Sequence, residues 1–233
     1  SQNASASQAA LMLAANGRLE HAPPTSWRCY TDSAAKTLAR SLLSGGVTAP
    51  NIAFHTPAQD VIAWLIDNQS TSAGSIGHRR WLLDPFLGKI AYGRVSGSTG
   101  GGKITVASVL DMTGTVLPAK GPELIAFPFQ DYPASSFPDG TLLSLSLLID
   151  KHRRQGNAVV DFSEARIRVV SEHGEPLRVR DLASDRQGFG LPNNLQFRPV
   201  GIRQGVRYEV SVDSVRIGDV EKSYRYWFRI VPG

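Results

Sequence analysis

The apolar residues of this chain change their spacing part-way along, and that change restricts the fold more than any single motif does. Before about residue 80 they recur at helical intervals. An Ala-rich stretch from Ser7 to Ala15 predicts a helix stopped by Asn16-Gly17. A second helix is expected from Asp32 or Ser33, carrying Ala35, Leu38, Ala39, Leu42 and Leu43, with Gly45-Gly46 as its stop. The third has the clearest start: Thr56 as cap, Pro57 in the first turn and Gln59 completing a Thr-x-x-Gln capping box. Val61, Ile62, Trp64, Leu65 and Ile66 then predict a well-buried helix. Beyond it, KIAYGRVSG and KITVASVLDM flank a glycine-rich turn and predict a β-hairpin. From about residue 123 onward only period-two segments remain, among them RIRVVS, LRVRDL, NLQFRPV, RYEVSVDSV and YRYWFRIV. Turn signals at Glu172–Pro176 and Leu191–Asn194 separate them. The expected class is α+β, with a helix-containing domain over 1–116 and an all-β, sandwich-like domain over 117–233, divided in the linker 113–122.

Composition excludes several functions. The formal charge of +5 is spread out: 9 basic and 6 acidic residues fall in 1–116, and 16 and 14 in 117–233. Neither half has the dense Lys/Arg stripe with interleaved aromatics that a nucleic-acid interface needs, so no nucleic acid is expected as a partner. The run Lys151-His152-Arg153-Arg154 reads as a solvated turn before Gly156. No apolar run approaches the ~20 residues of a membrane span, so no transmembrane segment and a soluble chain are expected. The opening SQNASASQAA has neither a charged n-region nor an apolar h-region, and its small, polar character suits a chain left after signal cleavage. Cys29 is the sole cysteine, which rules out a disulfide framework and a CxxC metal site; a small core residue is expected there.

Candidate chemistry is sparse. GSTGGGKI, residues 97–104, has the Gly-x4-Gly-Lys spacing of a phosphate-binding loop, but Ile104 stands where Ser or Thr would reach Mg²⁺. The segment also joins two strands instead of opening a helix, so it reads as a hairpin tip. There is no GxSxG elbow, and Glu20, Asp32, Asp67 and Asp84 have no spacing diagnostic of paired-carboxylate chemistry. His21 follows the first helix, Asp67 ends the third, and His78 follows Gly77 in SAGSIGHRRWLLDP. Two imidazoles and a carboxylate suit Zn²⁺ or a similar divalent ion, although no HExxH-type spacing joins them. Structural or surface histidines fit the same residues.

Taken together, NGRLEHAPPTSWRCYT, AAKTLARSLLSGG, WLIDN and GHRRWLLDP resemble the bacterial branch of the CAP superfamily. These are the SCP-like extracellular domains, named after cysteine-rich secretory, antigen 5 and pathogenesis-related-1 proteins. The resemblance covers about residues 5–112, and FPFQDYP, FSEARIRVV and YRYWFRIV resemble the β-rich extension of such proteins. It implies an α-β-α sandwich, here lacking its usual first helix with the Asn-x-x-Arg motif, and a cleft where two histidines and two acids converge. His21 matches the first cleft histidine, His78 the second, and Asp67 one acid. The other acid falls at Ala49-Pro50-Asn51, where Pro50 replaces glutamate; His55 is the nearby candidate to stand in for it. His78 is then expected at the start of a central strand, with Trp81, Leu82 and Leu83 in the core.

The resemblance implies a secreted, periplasmic or cell-envelope binding protein whose ligand is a small molecule, lipid, glycan or peptide. The alternative is a metal-dependent hydrolase, a peptidase or cell-wall enzyme, in which His21 and His78 hold a divalent ion such as Zn²⁺ and Asp67 is the catalytic base. Without the family's first helix, apolar surface is expected to need a partner chain as cover.

Overall fold

The computed structural model describes residues 2–46, 56–68, 75–96 and 106–233. The protein is mixed α+β and divides into two compact units, Ser1–Trp64 with Leu87–Thr115, and Leu65–Phe86 with Val116–Gly233. The Pro50 position, His55 and the glycine-rich segment 97–104 lie outside the described residues.

The first unit opens with α1 (Gln2–Asn16). Its alanines favour the helix, and their small size brings its buried face, Ala6, Ala9, Ala10, Met12 and Leu13, close to its neighbours. Asn16 and Gly17 stop it as expected: Gly17 adopts φ 63° and Asn16 Nδ2 donates to Met12 O at 2.7 Å. Thr31 caps α2 (Asp32–Leu38), its side chain accepting the Ala34 N–H.

The second helix is shorter than the spacing predicts. Ser41 Oγ donates to Thr37 O at 2.7 Å, and Leu42 and Leu43 belong to β1 (Ser41–Gly46). Strand pairing outweighs helical periodicity here, because β1 completes a sheet whose central strand comes from far along the chain. The next helix, α3 (Pro57–Ile66), carries the predicted capping box: Thr56 N donates to Gln59 Oε1 at 2.8 Å and Gln59 N to Thr56 Oγ1 at 3.3 Å. It is less buried than expected, with Trp64 enclosed but Val61 exposed. The predicted hairpin is present as β2 (Leu87–Ser96) and β3 (Val106–Thr115), antiparallel from Leu87 opposite Thr115 to Ser96 opposite Val106. The sheet order is β1-β3-β2, with α1 packed on β2 and β3.

The second unit begins with the end of α3 and with α4 (Gly77–Leu82). Ten strands follow: β4 (Leu124–Phe127), β5 (Gln130–Pro133), β6 (Leu143–Leu147), β7 (Val160–Asp161), β8 (Arg166–Ser171), β9 (Pro176–Leu177), β10 (Val179–Asp185), β11 (Asn194–Pro199), β12 (Arg207–Ile217) and β13 (Val220–Val231). They form a four-stranded sheet, β10-β11-β6-β4, and a six-stranded sheet, β5-β13-β12-β8-β9 with β7 beside β12. Alternation sends Tyr208, Val210 and Val212 of β12 and Tyr226, Phe228 and Ile230 of β13 inward. They meet Leu143, Leu145, Leu147 and Phe197 of the other sheet in one apolar core.

Residues 77–82 are helical, so His78 does not start a strand as expected. Burial along them is also reversed: Arg79 and Arg80 are buried, while Trp81, Leu82 and Leu83 are half-buried. Cys29 is exposed, at φ 60°, and is no core residue.

Candidate functional site

The C-terminal end of α3 and the first turn of α4 bring Asp67 and His78 together within the second unit. Two left-handed residues set the geometry. Asp67, at φ 48°, turns the chain out of α3, and Ile76, at φ 46°, turns it into α4. A buried β-branched residue with positive φ is strained, so the surrounding packing must hold it there. Asp67 is buried, and both its carboxylate oxygens face His78: Oδ2 accepts the backbone N–H at 2.9 Å and Oδ1 the ring at Nδ1, also 2.9 Å. A carboxylate can only accept in these bonds, so Nδ1 carries the hydrogen, and in the neutral ring Nε2 keeps its lone pair. The His78 side chain is 23% exposed against 1% for Asp67, which makes this an anchored imidazole with a solvent-reachable edge.

The two arginines after His78 fix this corner. Arg79 Nε and Nη2 donate to Leu65 O and Ile66 O, the last carbonyls of α3, at 2.7 and 2.6 Å. Its Nη1 reaches Leu142 O at 2.7 Å, and the guanidinium lies 4.1 Å from the Phe127 ring centroid. A cation on the carbonyl end of a helix is favourably placed, yet burial still brings the Arg79 pKa down to about 10. Arg80 is equally enclosed, bonding Asp185 at 2.7 Å and Gln187 O at 2.7 Å. Burial lowers its pKa too, against the opposing pull of Asp185. Asp84, the third charged group of the segment, pairs with Arg154 at 2.8 Å. Burial raises its pKa. These groups hold backbone in place and have no geometry for chemistry of their own.

His21 lies in the first unit, past α1, and its Nδ1 is hydrogen-bonded to Leu38 O at 2.8 Å. A carbonyl likewise only accepts, so Nδ1 carries the hydrogen, and in the neutral ring Nε2 is the acceptor nitrogen. Among the described residues no group of three or more His, Cys, Asp and Glu side chains is placed to hold a metal ion. The donor chemistry at His78 nonetheless suits one metal ligand, since ligating imidazoles are commonly backed by a carboxylate on the other nitrogen.

Sequence reasoning missed a second buried acid. Asp60, on α3, is fully buried and receives the Tyr92 hydroxyl at 2.9 Å, Arg94 Nη1 at 2.9 Å and Ser44 Oγ at 3.3 Å. Alternation along β2 was the available signal, since it puts Tyr92 and Arg94 on one face of the strand. Asp111 was also missed: fully buried in β3, it accepts both nitrogens of the Arg40 fork at 2.7 and 3.0 Å.

No protein-family model and no curated protein matches this chain.

Proposed function

We propose that the protein is a ligand-binding module of the cell envelope or extracellular space, built on a CAP-like domain, with His78 as its polar anchor. One observation carries this reading: a buried carboxylate holds the imidazole in a single tautomer and leaves the outer nitrogen as an acceptor. Such preorganisation is of little use to a surface histidine but serves recognition of a donor group on a ligand. Asp67 orients in this reading and does not act as a base, because both its oxygens are occupied by His78. The ligand is a small molecule, lipid, glycan or peptide, and the CAP-like sequence segments favour a secreted setting.

The same pair favours one second reading, a metal-dependent hydrolase. Nε2 of His78 would be one ligand of a divalent ion such as Zn²⁺. Bound there, the ion would supply an activated water; Asp67 would hold the imidazole and raise its basicity.

Two measurements separate them. Isotope-labelled protein is titrated with a long-chain fatty acid, a chito-oligosaccharide and a short peptide library, following the amides around residues 76–82. Binding that is lost in His78→Ala, without turnover, supports the module; a response indifferent to His78 overturns it. Elemental analysis of untagged protein beside His78→Ala tests the hydrolase. Near-stoichiometric metal that disappears in the variant supports that reading, and protein that ignores added Zn²⁺ eliminates it.

A further inference from the structure

The outward face of the six-stranded sheet presents a row of unneutralised guanidinium groups. Register places Arg168 of β8 and Arg225 of β13 on either side of Ser211 in β12. Strand spacing puts their Cα atoms roughly 10 Å apart. Both arginines are exposed, Ser211 is half-buried, and neither guanidinium has an ion-pair or hydrogen-bond partner among the described residues. Arg166 lies two residues along β8 on the same face, opposite Asp213 in register, with no ion pair between them.

Two other arginines of this face are already engaged. Arg207 pairs with Glu209 at 3.3 Å and lies 4.6 Å from the Trp227 ring centroid. Arg229 forms a two-point fork with Asp131, at 2.7 and 2.9 Å. That fork holds the Asp131 carboxyl below its ordinary range, chiefly through the hydrogen bonds from Arg229. The Arg229–Asp131 pair shows what a free fork on this sheet can do: an exposed guanidinium here can take a carboxylate in planar two-point contact.

We propose that this face binds an acidic polysaccharide, with Arg168 and Arg225 gripping carboxylates on successive repeats and Ser211 between them contacting a sugar hydroxyl. Charge complementarity selects an anionic partner, and the shape of the site selects a polymer. An open sheet face suits an extended chain, whereas small ligands take enclosed pockets. Nucleic acid is disfavoured because the one aromatic ring of the row, Trp227, is covered by Arg207 and offers no stacking platform. A membrane surface is disfavoured because the face has no protruding apolar side chains to insert. The surface is separate from the Asp67–His78 pair, so it neither needs that reading nor supports it.

The test is affinity electrophoresis and calorimetry of the whole chain against polygalacturonate at low and physiological salt. The comparison is wild type, Arg168→Gln/Arg225→Gln, and the charge-matched control Arg178→Gln/Arg180→Gln, which removes two exposed arginines at β10 and the turn before it. Wild type binds, and the control binds as wild type. The test pair loses affinity on the order of tenfold, with a shallower salt dependence. Thermal melting stays unchanged in both variants, since the removed groups are exposed and make no ion pair or side-chain hydrogen bond among the described residues. Absence of wild-type binding at low salt overturns the proposal, as does an equal loss in the control, which would show response to net charge alone. Tighter binding of duplex DNA or anionic vesicles through the same two arginines also overturns it, in favour of those partners.

Discussion

Gly93 on β2 lies directly against the backbone of Ala6 on α1. A Cβ at position 93 would overlap the Ala6 carbonyl group and the Ser7 amide, which are main-chain atoms and cannot rotate away. The Ala-rich face of α1 and the bare backbone at Gly93 are thus two halves of one close approach, and it seats the helix on the sheet. Gly93→Ala should displace α1 and destabilise the first unit by about 1–3 kcal/mol, the usual cost of overpacking a filled interior. Urea unfolding followed by far-ultraviolet circular dichroism measures this. The reference is Gly174→Ala, which has nothing within 4 Å but sits at φ 83°, so its cost comes from the turn alone.

Arg79 replaces the missing helical partners of Leu65 O and Ile66 O and ties them to Leu142 O. Arg79→Met removes a buried charge but strands three half-buried carbonyls, for an expected loss of about 3 kcal/mol. Arg79→Lys should not rescue it, because one ammonium cannot match the fork that spans these acceptors. The sign of the pH effect is also fixed. A folded pKa near 10, below the ordinary guanidinium value, means the unfolded chain holds this proton more tightly. Burial therefore penalises the charged form across the neutral range, and the penalty is relieved only as pH rises above about 10. The side chain is retained for its hydrogen bonds, and chemical denaturation of the two variants at neutral pH checks this.

Local chemistry was legible in the sequence where the structure is decided locally. The Thr56–Gln59 box and the Asn16-Gly17 stop depend on neighbours within a few residues, and β2 and β3 pair as successive strands of the sequence. Leu42 and Leu43 misled because their spacing fits a helix as well as a strand, and the choice was made by β3, some 65 residues away in sequence. GHRRWLL misled differently: its apolar run suggests a buried strand, whereas burial went to the arginines. Their partners, Leu142 O and Asp185, come from distant strands. Of the candidate site, the identities of Asp67 and His78 were legible, but their mutual bonding was not. It depends on two left-handed residues, Asp67 and Ile76, and only the aspartate is of a type that favours that conformation.

The turn after β6 should resist acid. Asp150 accepts the backbone N–H groups of His152 and Arg153, each at 2.9 Å, and Arg153 Nε at 2.8 Å. These bonds, led by the one from His152, lower its pKa. A depressed carboxylate contributes stability that is present above its unfolded pKa and lost as pH falls through the folded one. The turn should therefore keep its geometry down through the ordinary aspartate range and open only below it. A carboxyl carbon titration by nuclear magnetic resonance should give Asp150 a midpoint below the ordinary aspartate range. In Asp150→Asn the amide shifts of His152 and Arg153 should lose their acid-side transition.

Asn157 plugs the same turn from inside. Its Oδ1 accepts the N–H groups of Ile149 and Asp150 at 2.7 and 2.8 Å, and its Nδ2 donates to Asp150 O, Arg153 O and Arg154 O. Asn157→Asp preserves shape but turns a donor into an acceptor facing three carbonyls, in a fully buried position. The expected loss is about 3–5 kcal/mol near neutral pH, partly recovered in acid as the new carboxyl takes up a proton. Denaturation midpoints at two pH values measure both parts.

Asp67→Asn should invert the outer nitrogen of His78 without moving the backbone, since asparagine tolerates a φ of 48° as readily as aspartate. The backbone N–H of His78 has no alternative to donating, so it keeps the one remaining amide oxygen. The new amide NH₂ then faces Nδ1, which must give up its hydrogen to accept. The ring proton moves to Nε2, and the solvent-reachable edge changes from acceptor to donor. Long-range proton–nitrogen correlation spectra should show a protonated Nδ1 and bare Nε2 in wild type at mildly alkaline pH, and the reverse in Asp67→Asn. Any ligand or Zn²⁺ held by the Nε2 lone pair should then bind the variant as poorly as it binds His78→Ala. An unchanged tautomer would mean that Asp67 does not set the polarity of this histidine, and the recognition role proposed for the pair would fall with it.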